Sequence, residues 1–139
     1  MRTAIDTNVL SALWGGEPSA PQISQFLNEA VGAGGLVIHP IVYVEARAHP
    51  NASEATVNRF LESTRISVDW ATRQEIWLLA AERFERYAHR RRKQGPGEPR
   101  RFPADFLVAA HALVSADRLA TIDLRVYRAD FPELQLVQP

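Results

Sequence analysis

The sequence predicts an α/β fold, a three-layer sandwich in which a four- to five-stranded parallel sheet is flanked by helices. Short apolar runs at Thr3–Ile5, Leu36–Ile38, Ile66–Trp70 and Leu119–Ile122 are each separated by segments whose apolar residues recur at helical spacing. That alternation is the pattern of strands buried on both faces by their own crossover helices. At 139 residues and 46% hydrophobic, the chain suffices for one compact domain and is too short for two ordinary ones. No repeat or linker divides it, so a single domain over residues 1–139 is expected.

The first strand stops at Asp6-Thr7-Asn8, after which Val9, Leu10, Leu13 and Trp14 follow a helical period. Pro18 and Pro21 open a second helix with Ile23, Phe26, Leu27 and Val31 on one face, and Gly32, Gly34 and Gly35 end it. After Leu36–Ile38, Pro40 begins a short segment in which Ile41, Val42 and Val44 lead to Glu45, until His49-Pro50-Asn51 breaks it. Ser53, with Glu54 beside it, starts a helix carrying Val57, Phe60 and Leu61 ahead of the alternating strand Ile66–Trp70. The longest helix runs from about Thr72 into a basic run, with Ile76, Leu79, Ala80, Phe84 and Tyr87 or Ala88 along one side. Gln94–Pro99 is too rich in glycine and proline to stay helical and is expected as a loop. Pro103 restarts a helix at its first position, with Phe106, Leu107, Ala110 and Leu113 facing inward. Leu119–Ile122 then ends at Asp123, and Leu134–Val137 offers an edge strand. Trp14, Trp70 and Trp77 fall in apolar patterns and are expected as core or partner-contact residues.

A formal net charge of zero excludes a global positive field, so any attraction to nucleic acid must come from a local patch. Cysteine is absent and none of the four histidines has zinc-ligand spacing. No window approaches a membrane span, and the start reaches Asp6 and Asn8 before a signal-like apolar stretch develops. A cytoplasmic protein with no membrane partner is the expectation.

Four separated acids, Asp6, Glu45, Asp105 and Asp123, each lie where a strand ends or a helix begins. In an open parallel sheet those positions converge beyond the carboxyl ends of the strands. Each acid has an ordinary role open to it. Asp6 suits a helix cap, Asp105 a helix dipole, Glu45 a solvated pair with Arg47, and Asp123 a turn. Their conjunction argues for more. Two carboxylates ~5 Å apart repel by roughly 3 kcal/mol at an effective dielectric near 20, so such a cluster needs a cation, protons or a basic side chain. Oxygen-only ligands suit Mg²⁺ or Mn²⁺, ions that activate water and stabilise a phosphoryl group undergoing displacement.

The segments Ile5–Leu10, the isolated Glu45, Pro103–Ala112 and Leu119–Asp123 resemble, in order and spacing, the PIN-domain ribonucleases, in particular toxins of the VapC type. The opening Asp6-Thr7-Asn8-Val9-Leu10 and the helix Ala104–Ala112 are the most specific parts of the match. The resemblance implies a Mg²⁺- or Mn²⁺-dependent endoribonuclease, held inactive by a cognate antitoxin protein and assembled as a homodimer. It implies that Asp6 and Asp105 are the principal metal ligands, with Glu45 completing the site directly or through water. Asp123 would orient the attacking water or hold a second metal, and Thr7 or Asn8 would fix the Asp6 carboxylate by a hydrogen bond. One departure stands out: Thr121-Ile122-Asp123-Leu124-Arg125-Val126-Tyr127 lies where the family often places a second acid and a phenylalanine.

Arg86, Arg90, Arg91, Arg92, Lys93, Arg100 and Arg101 crowd a stretch whose only acid is Glu98. A solvated helix end is one account of such a run. Its place directly before Asp105 supports the other, contact with an RNA phosphate backbone that positions the strand without reading it. His89 and Tyr87 are candidates for base stacking, with a core role open to Tyr87. His111 is expected to be packed or hydrogen-bonded, and Asp117 to be a polar loop residue. Two other functions compete. Phosphomonoester hydrolysis by an aspartyl nucleophile needs a second aspartate at position 8, which is Asn8. A noncatalytic interaction module would leave the acids structural.

Overall fold

The structure, a computed structural model, describes residues 1–139. Five parallel strands, β1 (Thr3–Ile5), β2 (Leu36–Ile38), β3 (Ile66–Val68), β4 (Arg118–Ala120) and β5 (Leu136–Val137), form one sheet in the order β3-β2-β1-β4-β5. Seven α-helices accompany them: α1 (Thr7–Trp14), α2 (Ala20–Gly32), α3 (Pro40–Arg47), α4 (Glu54–Thr64), α5 (Gln74–Gln94), α6 (Pro103–Ser115) and α7 (Arg125–Arg128). This is the α/β sandwich that the alternating pattern predicts. β1 is central, with Ala4 opposite Val37 of β2 on one side and Leu119 of β4 on the other. β1 and β2 are buried at every position because helices close both faces. Thr3, fully buried, accepts a hydrogen bond from Arg118 Nε at 2.9 Å, so the polar group in this strand is satisfied.

Twenty-nine buried hydrophobic residues form a single cluster drawn from β1 to β4, the inner faces of α1 to α7, and Phe131 and Leu134 beyond α7. Ile76, Ala80 and Tyr87 face inward from α5, which settles the choice between Tyr87 and Ala88. Tyr87 is therefore core and not a stacking platform. Its hydroxyl donates to Pro99 O at 2.8 Å and accepts from the Arg101 N–H.

Four boundaries differ from expectation, the simplest being the edge strand, which begins at Leu136 and not Leu134. The third strand ends at Val68, not Trp70, because the last ladder bond, from the Asp69 N–H to Ile38 O, is followed by a turn in which the Trp70 N–H bonds Val68 O. The fourth strand covers Arg118–Ala120, leaving Thr121 and Ile122 to the site below. Gln94 completes α5, and Gly95–Gly97 make a single 3₁₀ turn inside the expected loop, opened by Gly95 at φ +66°. The α2–β2 turn needs glycine as well, with φ +142° at Gly34 and +93° at Gly35. Two of the three tryptophans are not core residues. Trp70 is 66% and Trp77 49% exposed, while Trp14 packs on the cluster with Phe60 at 5.2 Å. The contact between Trp70 and Tyr43, and that between Trp77 and His39, leave much of each indole open to a partner.

The segment with Glu45 is a two-turn helix, α3, and His39 caps it. His39 Nδ1 accepts from the Ile41 N–H at 2.9 Å, which places the ring proton on Nε2. That Nε2 is buried without a hydrogen-bond partner, between the edges of Trp77 and His111. Burial, then the facing His111, push the His39 pKa down to about 4. Between that value and the ordinary 6.5 the unfolded chain binds the proton and the folded chain does not, so stability falls as pH drops through this window. From about pH 7 to about pH 4.5 the loss from His39 is about 2–3 kcal/mol. Urea denaturation at the two pH values is expected to show it, and His39→Asn, which keeps a capping acceptor, is expected to flatten the slope. His111, whose pKa burial also lowers, and Glu133, held low by Arg83, add to the slope, while Asp6 and Asp105, both raised, oppose it.

Candidate active site

The strand order reverses between β1 and β4, and beyond their carboxyl ends lies a cleft of ≈ 480 Å³. Asp6, Glu45, Asp105 and Asp123 all line it. β1 delivers Asp6, α3 Glu45, the first turn of α6 Asp105, and the segment after β4 Asp123. Glu17, in the α1–α2 connection, adds a fifth carboxylate that the sequence reading passed over. Neither a strand end nor a helix start marks its position.

Asp6 is only 7% exposed, and every bond to it has a role. Oδ1 accepts from the Thr7 N–H at 2.7 Å, so Asp6 does cap α1. Oδ2 accepts from the Thr121 hydroxyl at 2.9 Å and from the Tyr127 hydroxyl at 2.5 Å. Of the two residues expected to fix Asp6, Thr7 does so, through its backbone N–H and not its side chain. The Thr7 hydroxyl donates instead to Glu45 Oε1 at 2.8 Å, tying α1 to α3. Asn8 acts one step removed: its amide donates to Thr121 Oγ1 at 3.1 Å and accepts from the Ile122 N–H at 3.1 Å. Thr121 also accepts from the Asp123 N–H at 3.3 Å, so one hydroxyl aligns two acids. Nothing local marks Thr121 or Tyr127 as site residues, since their partner lies across the sheet.

Asp105 is half-buried, and its Oδ2 accepts from the Phe102 N–H at 3.3 Å. Phe102 has no polar side chain to return the bond, so the cap of α6 is one-sided. Asp123 accepts from the Arg125 N–H at 3.2 Å and lies 3.8 Å from Arg125 Nε. Burial raises the Asp6 pKa; its three hydrogen bonds pull it back and the charge of Asp105 raises it further. Asp105 is also raised by burial, against the Phe102 N–H and Arg101, and again by Asp123. The Tyr127 phenol is driven upward by burial and by Asp6, so it stays a donor.

No three carboxylate or imidazole groups converge into a finished ligand cage. The donor set nonetheless fits a hard divalent cation, because five carboxylates and no histidine line the cleft and the charge of one raises the pKa of the next. Asp6, Glu45, Asp105 and Asp123 are the groups available to hold such an ion. His111 stays outside, 1% exposed, its Nε2 3.0 Å from Asp69 Oδ2. Asp117 is exposed and binds the Arg2 N–H, a terminal tie far from the cleft lining.

The basic run divides in two. Arg90 bonds Glu98 at 2.9 Å and Asp130 at 3.0 Å, and Arg86 pairs with Glu82 one turn away. Those two arginines are engaged within the fold. Arg91, Arg92, Arg100 and Arg101 line a separate groove of ≈ 600 Å³, and none of them has an ion-pair partner. Lys93 is exposed and unpaired at the end of α5, and His89 is exposed beside Arg92 at 3.1 Å.

The family model for the PIN domain matches residues 3–132. The chain belongs to the PIN domain family. Against curated protein sequences nothing matches. Among solved structures, this PIN domain is similar to VapBC2 from Rickettsia felis bound to a DNA fragment from its promoter, with TM-score 0.68 and 18% identity over 100% of this chain and 99% of the other. It is also similar to VapBC-1 from nontypeable Haemophilus influenzae, with TM-score 0.67 and 23% identity over 99% and 98% of the two chains. At these identities the likeness establishes the fold.

Three outcomes test the site. Thr121→Val removes the hydroxyl that bonds Asp6 while keeping the side-chain shape, and is expected to cost about 1.5–3 kcal/mol in urea denaturation. Asp6 and Asp105, with raised pKa values, contribute stability at low pH that is lost as pH rises through those values. In chelator at neutral pH, Asp105→Asn is therefore expected to raise the melting temperature. Mn²⁺ at about a hundred times its dissociation constant is expected to stabilise the parent by about 2.7 kcal/mol and Asp105→Asn far less.

Proposed function

We propose that residues 1–139 act as one PIN-like domain, a Mg²⁺- or Mn²⁺-dependent endoribonuclease that is the toxin of a toxin–antitoxin pair. The observation that carries this reading is the joint placement of the carboxylate cleft and the groove of unpaired arginines, which meet at the Phe102–Asp105 turn. An anionic strand lying in the groove presents a phosphodiester to the carboxylates. Asp6, Asp105 and Glu45 would hold the ion, and Asp123 would orient the attacking water or hold a second ion. When bound, the ion supplies charge stabilisation at the phosphoryl group and a more acidic water. Tyr127, Thr121 and the Thr7 N–H fix Asp6 so that it needs no reorganisation on binding. The Thr7 hydroxyl does the same for Glu45.

The two solved structures named above are VapBC assemblies, which agrees with the VapC-type resemblance and with a cognate antitoxin as partner. Exposed Val44, Trp70, Trp77 and Leu78 supply apolar surface for a homodimer. No helix is long and apolar enough to cross a membrane, and RNA in the cytoplasm is the substrate that this reading requires. One observation favours a noncatalytic interaction module: both Asp6 oxygens are already engaged within the fold and the acids form no finished cage. Activity separates the two. Cleavage of a labelled RNA is expected with Mg²⁺ or Mn²⁺, lost in chelator, and reduced at least about a hundredfold in Asp6→Asn and Asp105→Asn. Variants that cut as fast as the parent would move the site elsewhere; a parent inert with every metal would favour the module.

A further inference from the structure

Phe102 is 59% exposed and takes no part in the packed core. A solvent-facing phenylalanine at this place is specific in three respects. It precedes Pro103, which restricts it to extended backbone, and it sits there at φ −112°, ψ 152°. Its N–H is bonded to Asp105 Oδ2 at 3.3 Å, and the two residues are three apart, about 4.5 Å along a helix axis. The Phe102 backbone is therefore tied to a residue that lines the carboxylate cleft, while its ring lines the adjoining arginine groove. Arg100 Cζ lies 5.6 Å from the ring centroid, a cation over one face of the ring.

The arginines around it are distinguished by what they lack. Along α5, Arg83 pairs with Glu133, Arg86 with Glu82 and Arg90 with Glu98 and Asp130. Arg91, Arg92, Arg100 and Arg101, which share the groove with Phe102, meet no carboxylate within ion-pair distance. Positive charge is thus left uncompensated on the wall that carries an exposed aromatic face. Aromatic rings interleaved with arginines suit an unpaired nucleotide strand, whose phosphates take the guanidinium groups and whose bases stack. An acidic peptide would use the arginines alone and leave the ring without a function. Bases in a duplex are already stacked on their neighbours and have no free face to offer.

We infer that Phe102 is a base-stacking platform for single-stranded RNA, next to the carboxylate cleft, with Arg91, Arg92, Arg100 and Arg101 holding the adjoining phosphates. The inference rests on the nuclease reading and adds to it a residue, Phe102, that holds a base of the unpaired strand. A base on Phe102 draws its own phosphodiester toward Asp105, so the platform sets which linkage is presented.

The test uses the full chain, in chelator so that nothing is cut. Fluorescence anisotropy follows a short labelled single-stranded RNA and the same strand annealed to its complement. Phe102→Ala is expected to weaken single-strand binding roughly 5- to 150-fold, the range for loss of one stacked base, and to leave duplex binding unchanged. Phe102→Trp is expected to keep the parent affinity. Single-strand affinity unchanged in Phe102→Ala, while the parent still cuts RNA with metal, overturns the platform and leaves the nuclease reading standing. Equal losses for single strand and duplex also overturn it, as does an oligoglutamate peptide that displaces the RNA from the parent and binds Phe102→Ala more weakly. A parent that neither binds nor cuts RNA overturns both readings together.

Discussion

The Asp6 carboxylate is taken almost wholly out of water at the point where the strand order of the sheet reverses, and the surrounding structure is arranged around satisfying it. A buried carboxylate without donors would be costly enough to force protonation or rearrangement. Here the donors come from three places: the backbone that starts α1, the residue just past β4, and α7. Asp6 N–H also bonds Ala120 O at 3.0 Å. The same residue therefore starts a helix, joins the two strands that flank the crevice and holds α7 against them. Glu45 and Asp123 are placed through the same set of bonds, by the Thr7 hydroxyl and the Thr121 hydroxyl respectively.

How far the chain could be read from its residues follows from the range of the forces involved. Thr3–Ile5 and Leu36–Ile38 were legible to the residue, because a strand buried on both faces must be apolar throughout and its ends are marked by Asp6 and His39-Pro40. Ile66–Trp70 overran because alternation continues past the point where the sheet stops offering partners. α7 was invisible, since four residues are shorter than the pattern that reveals a helix. Asp6 and Asp105 could be picked out by their position against helix starts. Tyr127 and Thr121 could not, because a hydroxyl is informative only once packing has brought it to a carboxylate more than a hundred residues away. The basic run was readable as a whole but not by member, since Arg90 is held by Asp130, forty residues on, as well as by Glu98.

A net charge of zero conceals a strongly polarised surface. Five carboxylates line one cleft and four unpaired arginines line the groove beside it. The separation is functional chemistry in itself: a polyanion is repelled by the first region and held by the second, and a divalent cation in the cleft would reverse the sign of the repulsion. Arg101, on the border, already lowers the Asp105 pKa against burial.

The Tyr87 hydroxyl and the Arg90 guanidinium, one turn apart on α5, grip opposite parts of the segment between α5 and α6: Tyr87 holds Pro99 and Arg101, while Arg90 holds Glu98 and, through Asp130, the chain after α7. A stretch with two glycines and two prolines is thus clamped at its far end before any ligand arrives. Much of the conformational entropy that a loose basic loop would forfeit on capturing a strand has already been lost during folding. The groove is in that sense shaped before any contact, and a strand bound there as proposed would draw on the stability of the domain as much as on its charges.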